Sequence, residues 1–320
     1  MKKTGLIILV SFLLVVIVAV FVLDIRSSGT RFGSGNKYRF ETDTLVKVDP
    51  ALIGYREVKN YNIGTDSPYA IAYRGQKIYL AEGRSIRIFS LKGEQLARIR
   101  LPHQPTCIEI TGDGKIITGF RDRIGLFSET GDELWITDVI NERAYITAVA
   151  NKGQLVFAAD AGNRVVQRYD TTGKFLGSFE GKTGKGDFAG FIVPSGYFDL
   201  KVNNASELWV VDPGKHAFEN YTDEGDLRGY WENSSLGIEG FSGCCNPAHL
   251  AFLPNGFFVT SEKLIVRIKV HKPSGEFVSV VAAPDQFKEN GIAPDIVVDE
   301  TGNIYALDFD RKLIRVFAPK

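Results

Sequence analysis

Residues 154–179 read QLVFAADAGNRVVQRYDTTGKFLGSF. Three short apolar runs, residues 154–157, 165–169 and 175–179, are separated by two turns built from Asp, Asn, Gly and Thr. No run keeps a helical period, so each reads as a strand. The same frame returns along the chain, with second-run anchors at Ile78, Ile116, Leu155, Leu208, Phe258 and Ile304, spaced by 38, 39, 53, 50 and 46 residues. A proline often precedes the first run (Pro68, Pro105, Pro247, Pro294), and a Gly plus a polar residue ends the turn after the third, as in Gly93-Glu94 and Gly225-Asp226. Four strands at this period are the signature of propeller blades, because one such unit cannot bury its own apolar faces and must stack on its neighbours.

Six units can be counted, and the sixth ends after its third run at Leu313-Ile314-Arg315-Val316-Phe317. Residues 55–61 (YREVKNY) alternate correctly and precede the first unit, so they are expected to supply the missing fourth strand and close the ring without free edges. The expected fold is all-β: a six-bladed β-propeller of four-stranded antiparallel blades, preceded by one N-terminal transmembrane helix.

That helix is read from residues 5–23, in which Ser11 is the one polar residue. Nineteen residues at the helical rise span roughly 28 Å, about one hydrocarbon core. Lys2 and Lys3 keep the N-terminus cytoplasmic by the positive-inside rule. The expected organisation is a signal anchor at 1–26 contacting the lipid bilayer through residues 5–23, a Gly/Ser-rich stem at 27–54, and a propeller at 55–320; cleavage further along the chain is the alternative to an uncleaved anchor. Single-pass anchoring in the cell membrane then leaves the propeller extracytoplasmic, in a periplasm or outside the cell. The 38 basic residues balance 38 acidic ones, which argues against nucleic acid as a partner.

Asp160, Asn163, Arg164, Val165, Tyr169 and Gly173 together resemble the core of an NHL repeat. The likeness is partial in the fourth unit (Asp212, His216, Phe218, Gly225) and the sixth (Asp308, Arg311, Ile314, Phe317). Units one, two and five keep the apolar frame without the Asp/Asn pair. The resemblance implies the propeller fold and leaves activity open, because such propellers serve as protein-binding, RNA-binding and enzymatic platforms. Residues 243–247 (GCCNP) with 260–263 (TSEK) are similar to a group of uncharacterised membrane-anchored bacterial propellers. Asp160, Asn163, Asp212 and Asp308 fall where a short polar side chain binds turn amides. Arg87, Arg164, Arg267 and Arg315 fall where blades meet, in packing and pairing roles.

Function is sought in what does not repeat. Two long fourth-to-first connections, 181–190 and 233–243, belong on the face that carries the channel mouth. The second leads into Cys244-Cys245-Asn246, with His249 just beyond. Counting from the prolines, His249 and Cys107 take equivalent positions on opposite blades. Candidate ligand-binding residues are Cys244, Cys245, Asn246, His249, Glu262 and Lys263. A metal ion is a possible cofactor. Thiolate and imidazole from Cys244, Cys245, His249 and Cys107 suit Zn or Cu, although CC-x3-H is not a standard zinc spacing. Asp199, Asp295 and Asn246 near first-strand starts suit Ca. The cysteine pair also reads as two buried thiols, as a vicinal disulfide, or as a redox pair that needs a cationic neighbour. No G-x-S-x-G elbow is present. The expected function is a binding or scaffold module for a protein partner or small ligand at the mouth face. The alternative is a metal-dependent (Zn, Cu or Ca) hydrolase or lyase, or a thiol redox accessory.

Overall fold

The computed structural model describes residues 5, 11–20, 46–65, 67–182 and 189–320. The chain divides into two units, residues 1–44 and 45–320. In the first, residues 11–20 are helical and their apolar side chains are exposed. Among the described residues no helix is long and apolar enough to cross a membrane. The rest of the expected 5–23 span, and the stem up to residue 45, lie outside the described residues.

The second unit is a six-bladed propeller of four-stranded antiparallel sheets, in sequential strand order in blades 1 to 5. Blade 1 is Pro68–Arg74, Lys77–Glu82, Ser85–Ser90 and Gln95–Arg100. Blade 5 is His249–Phe252, Phe258–Glu262, Arg267–His271 and Phe277–Ala282, starting two residues after Pro247. Blade 6 takes Asp295–Val298, Ile304–Asp308 and Leu313–Pro319 from the end of the chain and Tyr55–Asn62 from its start. Tyr61 pairs with Ile314 and Tyr55 with Pro319, as the missing strand required. Arg315 Nη2 reaches Glu57 Oε2 at 2.6 Å and pins the joint. Upstream, Ile53 bridges Val280 of blade 5, so residues 50–54 also pack on the ring.

Second strands are buried nearly throughout, for example Ile116–Phe120 and Ala217's partner strand Leu208–Asp212, because neighbouring blades cover both faces. The apolar core is six slabs, one at each blade interface. The recurrent turn glycine serves that stacking. Gly173 has φ +87, and a Cβ on it would lie 2.8 Å from the Trp135 ring on the fourth strand of the preceding blade. Gly275 meets Trp231 in the same way, at the same 2.8 Å.

Each second strand except one ends on a buried carboxylate: Glu82, Asp160, Asp212, Glu262 and Asp308, with Phe120 in blade 2. Blades 1 and 5 therefore keep the acidic position that the Asp/Asn pattern had marked as lost. Asp160 accepts from the backbone N–H of Tyr145 (3.0 Å) and Asn163 (3.1 Å), the expected turn role. In blades 1, 5 and 6 an arginine bonds the carboxylate and also donates to a carbonyl of the connection arriving from the previous blade. Arg87 reaches Ile63 O, Arg267 reaches Gly240 O (3.0 Å) and Arg315 reaches Gln286 O (2.9 Å). The connections on this face are thus held by buried charge.

Candidate functional site

Strand register defines a ring of equivalent positions around the axis. Ala70, Cys107, Ala148, His249 and Asp295 each pair with the penultimate residue of their blade's second strand, and Asp199 O accepts from Val211 N at the same level. Blades 4, 5 and 6 therefore place Asp199, His249 and Asp295 side by side. His249 Nδ1 lies 3.5 Å from Asp199 Oδ2 and 3.9 Å from Asp295 Oδ1. Both aspartates also clasp backbone. Asp199 accepts from Leu200 N (2.8 Å) and, across the blade boundary, from Leu250 N (2.9 Å). Asp295 accepts from Ile296 N (2.9 Å) and Ile71 N (2.8 Å).

Burial pulls the His249 pKa down, but the hydrogen bond to Asp199 and the charges of Asp295 and Asp199 outweigh it, and the net shift is upward. Burial raises the Asp295 carboxyl, against the opposing pull of His249 and Lys201. One layer on, Lys201 of blade 4 reaches Glu109 of blade 2 at 3.1 Å and keeps its proton: burial is overcome by Glu109, Asp199 and Asp295.

Above this floor opens a cavity of about 620 Å³. Its walls include Tyr69, Arg121, Tyr145, Tyr197 and Phe309, with His249 at the level of the ring. Tyr197 meets His249 edge-on, with ring centroids 5.7 Å apart, and Lys263 Nζ lies 5.3 Å from the Tyr197 ring centre. Since Nδ1 faces the aspartates, Nε2 is the nitrogen of His249 left to meet a bound molecule. The carboxylates are committed to backbone and imidazole, so the polar groups the cavity presents are imidazole, guanidinium and phenol hydroxyls on aromatic walls.

The cysteine pair sits beside this mouth. Cys244 is exposed, Cys245 is buried, both are free thiols, and their sulfurs are 3.3 Å apart. Burial pushes the Cys245 thiol up, but Ser195, Cys244 and Lys263 outweigh it and the net shift is downward. The cationic neighbour required of a reactive pair is thus Lys263. Asn246 holds the segment: its Oδ1 accepts from Lys263 N (2.9 Å), its Nδ2 donates to Ser242 O (2.8 Å), and its carbonyl bonds His216 Nδ1 (2.7 Å).

Of two further expected members, one stands elsewhere and the other shares the ring level but is buried. Glu262 is 1% exposed, bonded to Arg267 (2.7 Å) and Lys269 (2.9 Å), and acts in the anchoring of Gly240. Cys107 lies in the slab between blades 2 and 3, and burial pushes its thiol up to about 12. Among the described residues no group of three or more His, Cys, Asp and Glu side chains is placed to hold a metal ion. Of the connection 181–190, residues 183–188 lie outside the described residues. Sequence reasoning grouped Asp199 and Asp295 with Asn246 as calcium-type ligands and did not join them to His249. It did not single out Tyr69, Arg121, Tyr145 or Tyr197 at all. Register counting from the second-strand ends would have joined the first three.

No family model matches the chain, and no curated protein matches it. Among solved structures it is similar to a catalytically inactive variant of virginiamycin B lyase from Staphylococcus aureus with quinupristin, at 14% identity and a TM-score of 0.59, covering 83% of this chain and 100% of that one. It is also similar to an auxiliary nutrient binding protein from Bacteroides ovatus (14%, TM-score 0.55, 80% of this chain and 70% of that one). A third likeness is to the Pan2 WD40 domain of Neurospora crassa (10%, TM-score 0.55, 84% and 96%). At these identities the likeness shows the propeller fold alone.

Proposed function

We propose that this propeller is a binding module whose channel mouth takes a small organic anion with an aromatic or apolar body. The observation that carries the reading is the carboxylate-backed imidazole of His249 beneath a cavity of about 620 Å³ walled by tyrosines and Arg121. Such pockets combine apolar walls with a few placed polar groups. A panel of aromatic carboxylates screened by thermal shift tests it, because a ligand that binds only the folded state raises the melting temperature. Hits should lose affinity by roughly tenfold or more in His249→Asn and Arg121→Ala, the scale of one lost charged hydrogen bond. Hits that bind those variants unchanged overturn the assignment.

A second reading, an enzyme at the same mouth, is favoured by the same imidazole, since a histidine oriented by carboxylates is suited to proton transfer. The lyase among the structural neighbours supports that reading as an analogy of fold. A metal-dependent form through Cys244, Cys245, His249 and Cys107, or through Asp199 and Asp295, draws less support: the aspartate oxygens already accept backbone amides and Cys107 is packed in the core. Turnover of a hit, abolished in His249→Asn, separates enzyme from binder.

Residues 5–23 support a single-pass anchor with the propeller extracytoplasmic, and the Asp160–Asn163 turn supports kinship with NHL-type propellers. A protein partner could engage the same face through the connection 233–243. Fractionation of native membranes tests the anchor, with release by carbonate washing as the contrary result.

A further inference from the structure

The cysteine pair is not needed for the ligand reading, yet it is built with care. Cys244 and Cys245 differ in access while their sulfurs touch at 3.3 Å. Ser195, whose Oγ is buried, is beside Cys245, as is the Lys263 ammonium. The backbone on either side is fixed. Asn246 clasps Ser242 and Lys263, and Gly240 O takes Arg267 and Lys269. The two sulfurs are therefore held together, one open to solvent and one facing a cation.

We propose that Cys244–Cys245 is a thiol–disulfide exchange site for low-molecular-mass disulfides, with Cys244 as the entry thiol and Cys245 as the resolving thiol. The Cys244 thiolate attacks one sulfur of R–S–S–R′. That bond breaks, a mixed disulfide forms, and R′–S⁻ leaves and takes up the proton Cys244 gave up. The Cys245 thiolate then attacks the Cys244 sulfur, the mixed disulfide breaks, and R–S⁻ leaves with the proton from Cys245. Two thiols are oxidised to one disulfide and one disulfide is reduced to two thiols. Lys263 and Ser195 stabilise the thiolate needed for the second step, in which attack depends on the thiolate fraction. Neighbouring Cα atoms are about 3.8 Å apart, below the ~4.4 Å lower limit of ordinary disulfides, so the product is strained and readily gives its oxidation on. That property suits exchange and not a structural staple.

The test uses the full chain incubated with oxidised glutathione, then denatured, alkylated and weighed intact. The wild type should lose the mass of two hydrogens and keep one alkylatable thiol, Cys107. Cys245→Ser should stop at a glutathione adduct on Cys244. Cys244→Ser should form its adduct roughly tenfold more slowly, because the remaining thiol is buried. Lys263→Met should form the adduct at the wild-type rate but resolve it more slowly, with the pH profile of resolution displaced upward, and Lys263→Arg should restore it. Circular dichroism confirms that each variant is folded. A wild type that ends as a stable adduct, or shows no change, overturns the proposal. So does a Cys244→Ser variant that reacts as fast as the wild type.

Discussion

His249 shows how one residue joins architecture to chemistry. Its folded pKa is raised above the ordinary 6.5 by Asp199 and Asp295 against burial. A base with a raised folded pKa contributes stability that is fully present below its unfolded pKa and is lost as pH rises through the folded value. Melting temperature should therefore fall as pH is raised from about 6.5 through that transition, and His249→Asn should remove that part of the slope. Acid-side stability follows another residue. His271 is held down to about 3 by burial and by Lys269, so it stays neutral while unfolded chains take up a proton. Stability should fall as pH drops below about 6.5, and His271→Phe should flatten that limb. Glu262 belongs to a different account from the ligand role its sequence neighbours suggested. It neutralises two buried cations, Arg267 and Lys269, each 1% exposed or less. Glu262→Gln should cost about 3–5 kcal/mol, the range for stripping one partner from a buried pair. Chemical denaturation at pH 7 checks it. The loss should shrink above the Lys269 pKa of about 8, where that group can shed its charge.

At the level of elements, the strands and turns were legible because alternation and turn glycines are local signals. Residues 154–179 contain three strands of blade 3 in the expected places. The partner of each glycine was not legible, since Trp135 and Trp231 come from the preceding blade. Gly173→Ala should cost about 1–3 kcal/mol, combining left-handed strain with the collision on Trp135, and equilibrium unfolding reads it directly. The acidic end of the second strand was half legible. A pattern of Asp with Asn marks Asp160, but the physical requirement is a buried carboxylate, which Glu82 and Glu262 meet with a longer arm turned toward arginine. Asp199, His249 and Asp295 were each visible near a first-strand start. Their meeting depends on blades 4 to 6 curving around one axis, and roughly fifty residues of chain separate each from the next.

For the whole molecule, closure through Tyr55–Asn62 is what turns six sheets into one mouth. Deleting residues 55–62 should expose the edge of Leu313–Pro319 and lead to aggregation, measured by light scattering, whereas deleting 1–45 should leave β content and melting unchanged because the six slabs lie within residues 46–320. Ligand is expected to enter the face where the first strands begin. Tyr69, Arg121, Tyr145, Tyr197 and His249 come from five blades and share one cavity there, while a second cavity of about 400 Å³, lined by Asp113, Lys115 and Gln154, is formed by the hairpin turns of blades 2 and 3. The most direct measurement is NMR shift mapping during titration with the best aromatic carboxylate. Binding at the mouth should perturb the amides of those five residues and shift the His249 imidazole. Perturbations confined to residues 111–115 and 151–154, with His249 unmoved, would contradict it.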